Sequence, residues 1–330
     1  MKTLGGFRAF LLVAALLLLL RFGLNYLRVP GALAGTLSVL LTVIFVAVPI
    51  FAIFVAAADR WSAVRAYAML ALGVSAQALS IALLRTVFHE KSGALPNLLD
   101  AIGQTGLMFW TLGLGALLGV FLRDKNLLLP ISIFLAGFDA FVIFSPVSPT
   151  RRLMESRPEV LSSIAAKVPS VAPTGDGLAV VGPGAYIGPA DFIFIGMFFV
   201  ALHKFGMRAK DTLLWLIPAL IGYLGIVLFF GNVRLGPIQL GMLPALVPIG
   251  LTVLIVNARE FTMTGQEKVL TWIVAVISLG LAVSGILLAR KAPASPAAPE
   301  TPVGVPANPG SPNSPAPGGQ GLPDTPSPRG

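Results

Sequence analysis

The chain contains no cysteine. Disulfides, thiol catalysis and cysteine-ligated metals are therefore excluded. Charge is almost as scarce, at 11% of 330 residues. A soluble domain of this length needs far more charge to cover its surface. Histidine is limited to His89 and His203, which stand alone and read as interfacial side chains rather than metal ligands. Basic stretches with interleaved aromatics are missing too. Nucleic acid is thus not the partner that a formal charge of +9 would suggest. Lys and Arg instead flank apolar runs, where they meet anionic membrane lipids.

What is present is apolar: 56% of residues are hydrophobic and the mean hydropathy is +0.87. Several stretches reach the roughly 20 residues that cross a bilayer as helix. The sequence predicts an all-α polytopic membrane protein, integral and multi-pass, with about nine transmembrane helices. Four runs in residues 1–125 (9–28, 33–57, 64–86 and 102–122) form an N-terminal membrane part. Lys2 and Arg8 precede the first run as in a signal peptide, but no convincing small-residue cleavage site follows it, so an uncleaved helix is expected. Residues 126–257 form a core with runs at 126–147, 188–205, 212–231 and 238–257. A further helix, 269–290, lies within 258–291. Residues 292–330 are a Pro/Ala/Gly/Ser tail with too little apolar content to fold, and are expected to be disordered. Lys and Arg fall almost evenly on alternate sides of nine helices, so the positive-inside rule leaves orientation open.

The longest internal connection is 148–187. It opens with Arg151, Arg152, Glu155, Arg157 and Glu159. Its Leu153, Val160, Leu161 and Ile164 fit one face of an interfacial helix. It then turns Gly- and Pro-rich and includes a β-prone run, Leu178 to Val181.

Two carboxylates stand inside apolar runs, Asp139 in 126–147 and Asp191 at the start of 188–205. An acid at mid-membrane costs about 2.5–3.5 kcal/mol on insertion scales, so such a residue is a functional candidate. At 1.5 Å per helical residue, Asp139 lies about 12 Å and Asp191 roughly 5 Å from the same membrane face. The segment Leu243-Pro244-Ala245-Leu246-Val247-Pro248 lies about 9 Å inside the run that re-enters from that face. Its prolines remove backbone donors, and irregular backbone at this depth must line protein or a water cavity. Three unusual features therefore share one layer. Two carboxylates in one site cannot both ionise easily and hold one proton between them. The ionised acid can take a proton from water as it attacks a peptide carbonyl, while the protonated acid donates to the carbonyl oxygen. This chemistry requires no cofactor or metal. Pro189 suits a first helical turn, which would set Asp191 at the positive end of the dipole and favour it as the charged member. The same acids also suit the proton relay or cation site of a transporter, or a structural role in which each pairs with an Arg.

The local motifs bear on this choice. Phe138-Asp139 is followed by Pro146, Pro149, Arg151 or Arg152, Leu153 and Glu155. Gly188-Pro189-Ala190-Asp191-Phe192-Ile193-Phe194 comes next, then Leu243-Pro244-Ala245-Leu246. In this order they resemble the Tyr-Asp, GxGD and PAL motifs of the presenilins, within the presenilin and signal peptide peptidase superfamily. The Pro/Arg/Leu/Glu series resembles the presenilin side. The resemblance covers about residues 126–257. It implies an intramembrane aspartyl protease with a presenilin-like bundle, with Asp139 and Asp191 as its catalytic dyad. Gly188, Ala190, Pro244, Ala245 and Leu246 would bind substrate. Single-pass transmembrane proteins would be the substrates, and the plasma membrane would be the site in a prokaryote. The chain departs from the pattern at Ala190, where the motif has Gly, and at Phe138, where it has Tyr. It also has four helices before the Asp139 run where presenilins have five, and one more after the PAL run. An inactive relative that only binds membrane helices is a third reading. Residues Gly177 to Ile187 precede the second acid and either pair, as an added strand, with unwound substrate or form an ordinary flexible loop.

Overall fold

A computed structural model describes residues 5–88, 93–146, 148, 158–174, 177–230, 234–235, 238–239 and 244–291. His89, Pro149, Arg151, Arg152, Leu153, Glu155, Arg157, Leu243 and the 292–330 tail lie outside the described residues, as do the side chains of Glu159 and Leu161. Among the described residues there are ten α-helices: α1 (Gly6–Leu24), α2 (Ala34–Ala57), α3 (Ala63–Thr86), α4 (Ala94–Phe121), α5 (Leu128–Phe144), α6 (Pro158–Ile164), α7 (Pro189–Lys204), α8 (Ala209–Phe230), α9 (Leu246–Asn257) and α10 (Gly265–Lys291). Among the described residues, seven helical stretches are long and apolar enough to cross a membrane, those of α1 to α5, α8 and α10. This is consistent with a multi-pass membrane protein. The apolar runs at 188–205 and 238–257 appear as the shorter α7, of 16 residues, and α9, of 12.

Glycine sets how closely the helices pack. On α4, Gly106 and Gly113 lie against the backbone of α3, where an added methyl would meet Gly73 O at 2.8 Å or Ala66 O at 2.9 Å. Gly115 and Gly119 lie against α7, and a methyl on Gly115 would collide with Ile193 O. Small residues that let backbones approach this closely are the usual means of helix association in lipid, where apolar burial gives little drive. α10 packs along α5 in the same way, with Gly137 against Ser278 and Gly285 against Phe141. Between these seams the interior is filled by large side chains, among them Phe10, Phe45, Ile50, Ile53, Leu112, Phe199 and Ile249.

The two ends of the bundle differ. At one end, Lys204 Nζ donates to Val120 O and Leu122 O, at 2.7 and 2.5 Å. There Asn126 Nδ2 also donates to Thr262 O at 3.0 Å. Asp59 accepts from the backbone N–H groups of Gly6 and Phe7, which caps α1 from the α2–α3 turn. The other end carries β structure that an all-α reading does not contain. Strands β1 (Arg28–Pro30), β2 (Ala166–Pro173) and β3 (Leu178–Ile187) form an antiparallel sheet in the order β1-β3-β2. The β-prone run Leu178 to Val181 opens β3. β2 is tied to the helices: Val171 N donates to Ser38 Oγ at 2.8 Å, and Arg21 Nη1 donates to Lys167 O at 2.8 Å. A short ladder, β4 (Arg234–Leu235) with β5 (Ile238–Gln239), precedes α9.

Candidate active site

α5 ends, and α7 and α9 begin, at the sheet end of the bundle. Asp139 lies five residues before the last residue of α5, about 8 Å from that helix end. Asp191 lies in the first turn of α7, behind Gly188 as N-cap and Pro189 at the first helical position. Proline fits there because its missing N–H has no intrahelical partner in any case. Asp191 N donates to Gly188 O at 3.2 Å, and a methyl on Gly188 would sit 3.6 Å from Asp191 Oδ2. The carboxylate thus leans back over its own N-cap. β3 runs straight into this turn, so the sheet fixes where α7 starts.

The Pro244-Ala245-Leu246 segment differs from expectation. The sequence places it some 9 Å inside a helix that begins near residue 238. Instead, 238–239 are strand, and α9 begins at Leu246. Pro244 is buried just before the helix, and Pro248 stands in its first turn, where a missing donor costs nothing. The motif is therefore a helix start and not a mid-helix break. The first N–H groups of a helix lack internal partners. Leu246 N donates a hydrogen bond to Asp139 Oδ2 at 2.8 Å. Asp139 therefore caps α9 from another helix. Each acid consequently lies at a helix N-terminus, Asp191 at that of α7 and Asp139 at that of α9, where the peptide dipoles favour negative charge. Besides the dipole, each carboxylate has a backbone N–H beside it, that of Leu246 for Asp139 and that of Gly188 for Asp191, so these contacts do not single out Asp191 as the charged member.

Asp139 and Asp191 are both half-buried and act on each other electrostatically. A third group joins them that the sequence reading missed. Tyr223 of α8 is partly buried and lies within electrostatic reach of both carboxylates. It gave no signal because a lone Tyr in the run 212–231 looks like any other core aromatic. Phe138, beside Asp139, is 44% exposed and stacks on Phe134 with ring centroids 5.8 Å apart. A hydroxyl at position 138 would therefore face outward, while the phenol near the acids comes from α8. Of the other predicted positions, Leu246 is 4% exposed, Ala245 is half-buried, and Gly188 and Ala190 are exposed. The Ala190 methyl is thus not wedged between packed helices. His203 is partly buried, with Nδ1 2.8 Å from Phe199 O.

No protein family, curated protein or solved structure matches the chain.

Proposed function

We propose that this chain is a presenilin-like intramembrane aspartyl protease that hydrolyses peptide bonds within transmembrane segments of single-pass membrane proteins. The observation that supports it is the interacting pair Asp139 and Asp191, set at two helix N-termini at one end of an apolar bundle. In this reading the pair shares one proton. The ionised acid takes a proton from water as the water oxygen attacks the substrate carbonyl carbon. The protonated acid gives its proton to the carbonyl oxygen, forming a diol; the acid that took the water proton then passes it to the amide nitrogen as the C–N bond breaks, and the other acid takes back a hydroxyl proton, leaving a carboxylic acid, an amine and the original shared proton. Gly188, Ala190 and the Pro244-Ala245-Leu246 turn line the substrate site.

The same reading takes α7 and α9 as further crossings, nine in all. Chain direction supports this. β3 leads into α7 at the sheet end, whereas Lys204, the last residue of α7, bonds the far end of α4. α9 likewise starts at Asp139 and ends at Asn257, which accepts from Arg208 N at the start of α8. Substrate adds as a strand to β3 beyond Val180, since β1 pairs only with Leu178 to Val180 on that edge. Lipids surround the bundle, and in a prokaryote the plasma membrane is its place.

The test is incubation of detergent-purified protein with a generic transmembrane peptide beside an Asp191→Ala control. Aspartate-dependent cleavage, blocked by an aspartyl transition-state analogue, supports the reading. Absence of cleavage together with Asp191-dependent ion flux in liposomes would transfer the site to a transporter.

A further inference from the structure

A cavity of about 110 Å³ opens at the sheet end between α3, α4 and the α6–β2 segment. None of its lining residues belongs to α5, α7 or α9, so it is separate from the paired acids. Its walls are polar where a membrane hairpin is ordinarily apolar. Two buried amides have plain structural duties: Gln77 Nε2 donates to Ser163 O at 3.2 Å, and Gln104 Nε2 donates to Ala165 O at 3.2 Å. Both anchor the incoming segment.

Ser80 and Arg85 have no such full set of duties. Ser80 is 2% exposed and lines the cavity, yet its hydroxyl has no hydrogen-bond partner among the described residues. Its Oγ opens into the cavity, so it is served by whatever fills that space, water or a ligand. Arg85, in the last turn of α3, reaches Ser163 Oγ at 3.4 Å and has no carboxylate partner among the described residues. Asp100, the one acid on the wall among the described residues, is paired with Lys167 Nζ at 2.5 Å. Arg21, which donates to Lys167 O from behind, also lies within electrostatic reach of Asp100. Among the described residues, Lys167 and Arg21 therefore stand around Asp100, and the Arg85 guanidinium and the Ser80 hydroxyl are left to the cavity. That set fits a group with several acceptor oxygens and negative charge, which a guanidinium can grip through two N–H donors.

We propose that this cavity binds the phosphate group of an anionic phospholipid. The phospholipid source is favoured by what surrounds the opening. Val87, two residues beyond Arg85, is 50% exposed, so an acyl chain would have apolar surface near the headgroup. Arg85 stands at a helix end, the depth at which basic pockets between membrane helices take headgroups. The proposal does not depend on protease activity.

The experiment compares the purified full chain in nanodiscs of phosphatidylcholine alone, the same with inorganic phosphate, and phosphatidylcholine mixed with phosphatidylglycerol. Lipid retained on the protein is counted by native mass spectrometry, and melting temperature is followed in each. The expected result is one tightly held phosphatidylglycerol and a higher melting temperature in the mixed discs. Arg85→Gln should weaken retention about tenfold and Ser80→Ala by a few fold, as expected for a charge-assisted and a neutral hydrogen bond. Arg123→Gln, an exposed cation at the other end of the bundle, should leave retention unchanged. If inorganic phosphate alone gives the same Arg85-dependent rise, the lipid source is overturned and the site is one for free phosphate. If Arg85→Gln lowers melting equally in all three discs, or retention ignores Arg85, the site itself is overturned.

Discussion

Leu246 and Asp139 are 107 residues apart in sequence, and one hydrogen bond of 2.8 Å joins them. It puts the N-terminus of α9 on a carboxylate of α5. A helix start that needs an acceptor and an acid that needs a donor satisfy each other, which is why a charged side chain is tolerated there.

Asparagine at position 139 keeps an oxygen for the Leu246 N–H, and alanine does not. Asp139→Asn and Asp139→Ala should both lose cleavage by at least about 100-fold, the usual contribution of a positioned acid or base. Only the alanine variant should also lose stability, by about 1–3 kcal/mol for the unpaired N–H. Peptide cleavage and thermal melting, run on both variants, check this. Equal melting of the two would mean that the bond does not hold α9 in place.

Gly115 controls how near α4 comes to the helix that bears Asp191. Gly115→Ala forces its methyl onto Ile193 O, whereas a methyl on Gly196 in the same seam makes only ordinary contacts, with Gly115 Cα at 3.6 Å and Leu112 at 3.8 Å. Gly115→Ala should cost about 1–3 kcal/mol as overpacking. It should also lower cleavage without touching either acid, and Gly196→Ala should do much less. Melting curves and initial rates of the two variants provide the comparison.

Asn257 ties α9 to α8 at the other end of the bundle. It is fully buried, accepts from Arg208 N at 3.1 Å and donates to Thr212 Oγ1 and Val253 O, each at 2.9 Å. Asn257→Ala leaves those partners without it and should destabilise the protein by about 1–3 kcal/mol. Thermal melting in detergent reads this directly. A change below about 0.5 kcal/mol, the range of ordinary surface substitutions, would show that water replaces the side chain.

Tyr223→Phe removes one hydroxyl from the surroundings of both acids and keeps the ring. Cleavage should fall about tenfold or more while melting stays near that of the parent, since a neutral hydrogen bond is worth about 1 kcal/mol. Kinetic constants measured beside a melting curve separate an effect on the acids from an effect on packing.

Val180 pairs with Arg28 on one side and Ala172 on the other. Proline there removes a ladder donor within the three-stranded sheet. Val180→Pro should slow cleavage by displacing the strand that leads to Asp191. Because it also loosens the sheet, a cysteine at exposed Tyr186, in this cysteine-free chain, gives the sharper reading. It should cross-link to a thiol-reactive group near the scissile bond of the peptide, and no cross-link would remove substrate from that edge.

Much of the fold was legible because bilayer helices are announced by local composition. The boundaries of α2 and α3 match their apolar runs closely, and Pro189 marked the start of α7. The misreadings fall where backbone partners are distant. Residues 238–245 are apolar enough to pass for helix, yet 238–239 pair with 234–235, and the helix waits until Leu246. The sheet escaped an all-α reading because β2 contains Pro169 and Pro173, which argue against a strand unless an outer edge accepts them. β2 occupies such an edge position of the sheet.

The sequence by itself determined the class of molecule and the chemistry available to it. Hydrophobic length, missing cysteine and two acids within apolar runs are properties of composition and order, which no packing alters. Only the tertiary structure decided what those acids meet. Which N–H reaches Asp139, and which ring stands near both carboxylates, depends on how α5, α7, α8 and α9 converge. That convergence is set by glycine seams and distant backbone bonds whose partners do not recognise each other along the chain.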